Sequence, residues 1–265
     1  MPATSRVQLG DWYDYPQYFD MIFRDETATE VDFIRAAMKR YSPGKHRRFY
    51  EPGCGSGRLV VAMAADGFQV TGSDLSKPSL RYLRNKLRRR KLQAQLVLGD
   101  MTTYVTPQSV DGAFCTFNTF RHLMTQEAAI SHLTAVARSL RQGGIYILGF
   151  HIIPLDADEY CIERWRAVHG KTRVSMTLRV LDSDREERWE QVRISLKATT
   201  PAKTFQCRTE FPMRLYTLEQ AVSMLAEVPQ LELVGVHDFS YDIDQTRELD
   251  DELVDAIFIL RKRGD

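Results

Sequence analysis

Short apolar runs and longer amphipathic segments alternate along the first 150 residues of the chain. Each run has the length of a buried strand and ends at glycines, acids or small polar residues. The longer segments carry apolar residues three and four positions apart, the spacing of a helix with one buried face. This alternation predicts an α/β domain built on a parallel sheet. The predicted strands cover 49–50, 68–71, 95–98, 110–117 and 145–148, and the predicted helices cover 30–40, 58–65, 76–91 and 126–140, the last stopped by glycines at 143 and 144.

Beyond residue 172 the apolar positions recur every second residue instead. This is the period of a strand with one buried face, and it predicts an antiparallel β insert over 172–215. A capping box of Thr217 and Gln220 then begins a predicted helix, and two apolar runs provide the final strands. The three insert strands centre on 174–180, 192–196 and 205–209, and the later elements are expected at 218–228, 231–239 and 256–261.

Composition places the chain among ordinary soluble globular proteins. Its 265 residues are 43% hydrophobic and 27% charged, and the formal net charge of +1 argues against a dedicated polyanion binder. The amino terminus lacks the apolar core of a signal peptide, and no run approaches the ~18 apolar residues of a membrane span. The four cysteines are scattered without a C-x-x-C pair, which indicates neither a zinc site nor a disulfide framework. We expect a single domain over 1–265, no metal, no membrane partner and a cytoplasmic location.

The stretch from Glu51 to Gly57, Glu-Pro-Gly-Cys-Gly-Ser-Gly, joins the first predicted strand to a helix. Glycines let the backbone turn sharply and approach a ligand, and the helix N-terminus offers free N–H groups. A strand, a glycine-rich turn and a helix in this order predict a site for a nucleotide-like ligand. The sixth position counted from Gly53 is Arg58, so the G-x-G-x-x-G fingerprint is absent and a nicotinamide dehydrogenase is disfavoured. A tight surface turn is the simpler alternative.

Polar residues also stand at the ends of the next strands. Asp74 ends the second strand, where a nucleotide-binding α/β unit places an acid for the ribose hydroxyls. Asp100 ends the third, and the loop 118–123 follows the fourth. Because the carboxyl ends of parallel strands meet at one edge of the sheet, these turns are expected to form a single crevice. His151, at the end of the fifth strand, points towards the same crevice.

The acid-led E-x-G-x-G-x-G loop and the acids after it resemble the motifs of class I S-adenosylmethionine-dependent methyltransferases. The aromatic N-terminus, the loop 118–123 and the late insert are similar to small-molecule members, namely glycine, sarcosine and sugar-amine N-methyltransferases. This resemblance implies a Rossmann-like, seven-stranded, mostly parallel sheet in the order 3-2-1-4-5-7-6, with its last strand antiparallel. It also implies S-adenosyl-L-methionine as cofactor and a small-molecule acceptor, methylated on nitrogen or less favourably oxygen by in-line displacement.

The resemblance further implies which residues bind the cofactor. They come from the ends of the first four strands: the glycine loop at the methionine moiety, the next two strand ends at the ribose and adenine, and the fourth near the methyl group. In that order they are Glu51, Gly53, Cys54, Gly55 and Gly57, then Asp74 and Leu75, then Asp100 and Met101, and finally Phe117.

Three residues are implied on the acceptor side. In the sugar-amine relatives the histidine before leucine in the loop after strand four lies near the acceptor amine, which makes His122 a candidate general base. Asn118 would line the channel near the methyl group. The relatives often have a Tyr-Asp pair in the N-terminal segment, whereas this chain has Phe19 before the acid and Tyr18 one place earlier. Tyr18 is therefore the candidate, within an aromatic lid or cap expected over 11–45.

A basic run at 81–91 leaves a second interpretation open. Seven of its eleven residues are basic. Such a run is most often a solvated helix face, but an RNA-directed methyltransferase could dock RNA on it. The Asn/Asp-Pro-Pro-Tyr/Phe signature of nucleic-acid amino methyltransferases is absent after the fourth strand, which makes nucleic acid a disfavoured partner. A catalytically silent S-adenosylmethionine-binding module is a third interpretation, and the insert's exposed strands could pair across a homodimer.

Overall fold

The computed structural model describes residues 8–9, 11–154, 157 and 160–264. Two short 3-10 turns lie at Trp12–Asp14 and Thr119–His122. None of the helices in the described ranges is both long and apolar enough to cross a membrane. The strands are β1 (Gln8–Leu9), β2 (Arg48–Pro52), β3 (Gln69–Asp74), β4 (Gln95–Leu98), β5 (Val110–Cys115), β6 (Leu140–His151), β7 (Ile162–His169), β8 (Thr172–Asp184), β9 (Trp189–Thr199), β10 (Thr204–Arg214), β11 (Leu231–Asp238) and β12 (Asp255–Lys262). The helices are α1 (Pro16–Ile22), α2 (Thr27–Tyr41), α3 (Arg58–Ala65), α4 (Lys77–Arg90), α5 (Gln126–Ser139) and α6 (Leu218–Ala226).

Seven strands form the main sheet in the order β11-β12-β6-β5-β2-β3-β4. Only β12 among them runs antiparallel to its neighbours. Counted within this sheet, the order is 3-2-1-4-5-7-6 with the last strand antiparallel, so the predicted fold class is confirmed. Apolar side chains of α2, α3 and α4 pack on one face of the sheet, and those of α5 and α6 pack on the other. Burial on both faces explains why the central strands are continuous apolar runs.

The boundary between α5 and β6 differs from the sequence prediction. The pattern predicts a helix to residue 140 that is stopped by Gly143 and Gly144, but α5 ends at Ser139 and β6 begins at Leu140. Both glycines therefore lie inside the strand. A Cβ on Gly144 would lie 2.8 Å from the carbonyl oxygen of Asp111 on neighbouring β5. Glycine is needed here for the close approach of two strands and not to end a helix.

Five strands form a second sheet in the order β1-β10-β9-β8-β7. Neighbours from β7 to β10 are antiparallel, and β1 pairs with β10 in parallel. The strands β8, β9 and β10 are the three that the period of two predicts, and their buried residues alternate accordingly. The prediction omits β7, because this edge strand mixes charged and apolar residues and buries none of them fully.

The N-terminal segment contacts both the second sheet and α4. Its aromatic rings, those of Trp12, Tyr13, Phe19 and Phe23 among them, join the apolar cluster of β8, β9 and β10. Asp20 is buried on α1, where it accepts a hydrogen bond from the Tyr82 hydroxyl at 2.9 Å and pairs with Lys86 of α4. The segment is thus anchored to the second sheet and to α4, and its action as a lid stays a prediction.

Candidate active site

The glycine loop lies between β2 and α3 and has an unusual backbone. Gly53, Gly55 and Gly57 have φ values of 62°, 50° and 65°, in the left-handed region that glycine adopts without steric cost. A Cβ on Gly53 would lie 2.5 Å from Cγ2 of Thr119, and one on Gly57 would lie 2.3 Å from Cδ1 of Leu83. A Cβ on Gly55 would meet no atom within 4 Å. The loop is therefore packed tightly at its ends, while the bare backbone at its centre faces open space that a ligand could fill.

A buried charge cluster adjoins this loop. Glu51 is 9% exposed, and its Oε2 atom has no hydrogen-bond partner. Burial raises the pKa of Glu51 well above its usual range, although the Arg58 guanidinium acts in the opposite direction. That guanidinium is paired with Glu30 at 2.5 Å, and Glu30 also accepts a hydrogen bond from Thr116 at 3.0 Å. The carboxyl groups of Glu30 and Glu51 thus share one guanidinium. A ligand ammonium beside Glu51 would supply a second positive charge and a hydrogen-bond donor for its unpaired Oε2 atom.

The end of β3 is tied directly to the glycine loop. Asp74 accepts the Gly55 N–H on Oδ2 at 2.7 Å and a backbone N–H two residues along its own chain on Oδ1 at 2.7 Å. Burial raises the pKa of this carboxyl group, and the backbone N–H groups oppose that change. Cys54 is buried, and its N–H donates to the Ser73 carbonyl at 2.9 Å. Leu75 is 70% exposed, which leaves an apolar surface free to pack against a flat ring.

The turn after β4 lies beside the same loop. Asp100 is exposed, and its Oδ1 accepts from both the N–H and the hydroxyl of Thr102 at 2.8 Å. The sulfur of Met101 would lie 3.8 Å from a Cβ on Gly53, so the two turns are neighbours. The Met101 carbonyl oxygen is held by Nδ1 of His132 at 2.9 Å. This bond fixes the position of the backbone that follows Asp100.

The end of β5 carries backbone strain. Phe117 and Asn118 have consecutive φ values of 66° and 67°. Residues other than glycine adopt this left-handed backbone conformation only at a cost in free energy. The Asn118 N–H donates to the Gly149 carbonyl at 3.3 Å, and its side-chain oxygen accepts the His151 N–H at 2.9 Å. These bonds to β6 hold the strained turn. The Phe117 ring packs edge-on against Phe23 of the N-terminal segment, with centroids 4.6 Å apart.

A cavity of about 550 Å³ lies between the N-terminal segment and β10. His122 and Tyr13 meet on its wall, where Nε2 of the imidazole is 2.8 Å from the tyrosine hydroxyl. Burial and the neighbouring Arg121 lower the pKa of His122 to about 4, so its imidazole is neutral at physiological pH. The Phe211 ring centroid is 5.2 Å from that of the imidazole. The cavity is also lined by Asp11, Arg208, Thr209 and Glu210.

The structure brings most of the predicted residues to one edge of the main sheet, but Tyr18 lies apart from His122. The Tyr18 ring stacks on Tyr15 and Phe205, with centroids 6.5 and 5.9 Å away, and it does not line the cavity. The tyrosine that meets His122 is Tyr13, which the sequence prediction does not include. The only sequence signal for it is the aromatic richness of the whole segment, and that does not distinguish among neighbouring tyrosines. Which tyrosine serves the acceptor stays a prediction.

Residues 49–144 match the family model of a methyltransferase domain. This part of the chain is similar to a methyltransferase domain. The matched residues include the glycine loop and the ends of β3, β4 and β5 described above. Sequence similarity to curated relatives covers a little under half of this chain. A cypemycin N-terminal methyltransferase from a Streptomyces species is 31% identical over 135 residues, which are 47% of this chain and 54% of that protein. The chain spans about half the length of the curated relatives it matches.

Solved structures resemble this methyltransferase fold over nearly the whole chain. An S-adenosylmethionine-dependent methyltransferase from Clostridium acetobutylicum has a TM-score of 0.77 at 16% identity, covering 96% of this chain and 99% of that one. A sugar N-methyltransferase from Streptoalloteichus has a TM-score of 0.74 at 17% identity, covering 100% and 98%. The α/β fold predicted for the chain is therefore the fold of these methyltransferases.

The residues present fit S-adenosylmethionine, the cofactor that the sequence predicts. Its methionine moiety carries an ammonium group, and the partnerless Oε2 atom of buried Glu51 is a matching acceptor. The open space at Gly55 leaves room for the ligand against the backbone, and the exposed side chain of Leu75 offers an apolar surface to adenine.

Proposed function

We propose that the protein is an S-adenosylmethionine-dependent enzyme that methylates an amine nitrogen of a small molecule. An oxygen acceptor is the less favoured form of the same proposal. Two surfaces would carry the reaction. We call the turns after β2, β3, β4 and β5 (51–57, 74–75, 100–101 and 117–118) the cofactor wall. We call Asp11, Tyr13, His122 and Arg208–Phe211 the acceptor wall.

The observation that best supports this proposal is the cavity at the acceptor wall and its closeness to the cofactor wall. The carbonyl oxygen of Tyr13 accepts a hydrogen bond from Ser79 at 3.3 Å, on the helix that begins just after Asp74. Tyr13 also reaches His122 in the loop that follows Asn118. A molecule in the cavity would therefore lie beside the turns that we assign to the cofactor.

The charges around the cavity favour an amine. Asp11 carries a carboxylate, and neutral His122 does not repel a cation, whereas the Glu210 carboxylate is already paired with Arg193 at 2.6 Å. Arg208 lines the same cavity and would suit an anionic or polar group elsewhere on the acceptor. Relatives that methylate sugar nitrogen have the same fold, so we include amino sugars in the proposed acceptor class.

In the proposed cofactor wall, Glu51 and the loop 53–57 hold the methionine moiety. Asp74 has lone pairs left for ribose hydroxyls, since a carboxylate accepts about four hydrogen bonds and two come from the backbone. Leu75 packs on adenine, and Asp100 and Met101 contact its edge. Phe117 and Asn118 form the wall next to the methyl group.

When bound, the cofactor supplies a methyl group on a sulfonium, which is already a good electrophile. The residues of this chain then have to hold the acceptor nitrogen in line with that carbon and exclude water. Such positioning can contribute ~7–11 kcal/mol to the lowering of the barrier. The aromatic rings of the N-terminal segment, packed against Phe117 and Phe211, would exclude water from the site.

The test is a transfer assay with isotopically labelled methyl donor and a panel of amino sugars, primary amines and phenols. The proposal predicts a methylated amine, with mass spectrometry of the product placing the added carbon on nitrogen. Tight binding of S-adenosylhomocysteine without transfer to any member of the panel would favour the catalytically silent module instead. Transfer to phenols alone would replace nitrogen by oxygen.

A further inference from the structure

A histidine–carboxylate pair stands at the carboxyl end of β6, outside both walls. Nδ1 of His151 is 2.6 Å from Oδ1 of Asp255, and the two residues are direct partners across the antiparallel β6–β12 ladder. The side chains are 28% and 47% exposed, so the pair is in contact with solvent. Nε2 of His151 has no hydrogen-bond partner among the described residues. The cofactor assignment does not use this pair.

The pair is connected to the end of β5, where we place the methyl group. The His151 N–H donates to the Asn118 side-chain oxygen at 2.9 Å, which fixes the end of β6 against the strained turn. The Phe239 ring packs edge-on against His151, with centroids 5.3 Å apart, and it stacks on Phe117 at 6.4 Å. Backbone and aromatic contacts therefore place His151 on the same strand-end crevice as Phe117 and Asn118.

Methylation of an amine leaves a proton to be removed. The nitrogen lone pair forms the new N–C bond, the C–S bond breaks with its electron pair returning to sulfur, and the product nitrogen carries one extra proton. His122 is poorly suited to take that proton. Its pKa is lowered to about 4 by burial and Arg121, and its Nε2 is engaged with the Tyr13 hydroxyl.

We propose that His151, paired with Asp255, accepts the proton released from the acceptor nitrogen, directly or through one water, and passes it to solvent. The inference rests on the proposed function. A carboxylate at Nδ1 holds the tautomer whose Nε2 is a free acceptor, and it stabilises the imidazolium that forms. The half-exposed pair can then exchange the proton with water.

The other charges near the pair agree with this role. Asp255 lines a cavity of about 220 Å³ together with Asp238, Arg247 and Glu252. Arg247 is neutralised within that group by its ion pair to Asp238 at 2.8 Å. Asp255 and Glu252 are the other charged residues that line this cavity. Asn118 and Phe239, which contact His151 from the other elements, carry no charge.

The experiment compares wild-type protein with His151→Gln and Asp255→Asn, using the fastest amine of the panel between pH 6 and 9. His151→Gln should lower kcat/KM by about 10²-fold or more, the range of a positioned general base, and should remove the acidic limb of its pH profile. Asp255→Asn should lower kcat/KM less and should move that limb. S-adenosylhomocysteine affinity should stay within about twofold in both variants. His169→Gln, on the second sheet beside Arg24, is the matched control and should behave as wild type.

A second readout needs no turnover. NMR of the imidazole nitrogens should show the Nδ1 signal of His151 shifting in Asp255→Asn, because its N–H loses the carboxylate that accepts it. An unchanged Nδ1 signal would overturn the pairing. Wild-type kcat/KM with an unaltered pH profile in His151→Gln would overturn the inference and leave the proposed function standing. Wild-type protein that binds S-adenosylhomocysteine but methylates no amine would overturn the proposed function, and this inference with it.

Discussion

The cofactor wall and the acceptor wall are built in different ways. The cofactor wall consists of successive turns of one sheet, whose backbone conformation selects glycine at 53, 55 and 57 and an acid at 74. The acceptor wall joins side chains that are far apart in the chain. Its N-terminal part is tied to β10 by a hydrogen bond from the Trp12 N–H to the Thr209 hydroxyl, across 197 positions. Turn chemistry leaves a local signature in the sequence, whereas a wall of distant side chains leaves none.

The largest effect is expected where the cofactor wall depends on buried charge. Glu30→Gln removes the direct ion partner of the buried Arg58 guanidinium, although Glu51 stays near it, and this should lower the free energy of unfolding by about 3–5 kcal/mol. Urea denaturation measures this loss. The control is Asp32→Asn on the same helix, whose ion pair to Arg35 is exposed at 3.8 Å and should contribute at most about 1 kcal/mol. Equal effects in the two variants would show that the buried cluster does not support the wall.

The next effect concerns His132, which holds the turn after β4. Burial lowers its pKa to about 4, against an ordinary value of 6.5. The unfolded chain therefore binds more protons than the folded one between these values, so stability falls as the pH drops from 6.5 towards 4. The contribution of this one site between pH 8 and pH 5 is about 2 kcal/mol. Urea denaturation at both pH values should show that His132→Gln reduces the pH dependence by this amount, and an unchanged slope would contradict it.

Much of the fold follows from local patterns. The capping box at Thr217 and Gln220 is present in α6. The strand order of the main sheet is the one that the family resemblance implies, and local patterns alone do not give it. The glycines at 143 and 144 show the limit of such reading. A glycine pair after a helical pattern predicts the end of the helix. The close approach of the neighbouring strand to Gly144 depends on tertiary packing, which the local sequence does not show. The edge strand β7 was also not predicted, because none of its residues is fully buried and its apolar residues do not recur regularly along the sequence.

The candidate site likewise contains residues that local patterns predict and a contact that only tertiary packing creates. Glu51, Asp74 and Asp100 are strand-end residues whose order could be predicted, and the structure places all three at one edge of the sheet. The meeting of Tyr13 with His122 depends on how the N-terminal segment packs on β10, and no local spacing encodes that packing.

A smaller effect is expected at the acceptor wall. Tyr13→Phe removes the hydroxyl that meets His122, a change of about 1 kcal/mol for one neutral hydrogen bond. We expect kcat/KM for the best amine to fall about five- to tenfold, with S-adenosylhomocysteine affinity unchanged. Tyr160→Phe, at a ring that is 73% exposed, is the control. A loss in Tyr18→Phe without one in Tyr13→Phe would return the acceptor role to Tyr18.

The smallest effect is expected on the basic face of α4. Replacing Arg88, Arg89 and Arg90 by Gln should change the free energy of unfolding by less than about 0.5 kcal/mol per site, because these side chains are exposed. Amine methylation should also be unchanged. Retention of tRNA at moderate salt that disappears in this variant would support the RNA-directed alternative instead.

The most direct test of the convergence of these turns on one cofactor is calorimetric titration with S-adenosylhomocysteine. Gly55→Val would project a side chain into the open space at the centre of the loop, whereas Gly170→Val imposes a similar strained φ in a hairpin of the second sheet, also with nothing within 4 Å. We predict that Gly55→Val weakens binding by at least about tenfold, or 1.4 kcal/mol, and that Gly170→Val leaves it unchanged. Equal affinity in the two variants and the wild type would contradict the account.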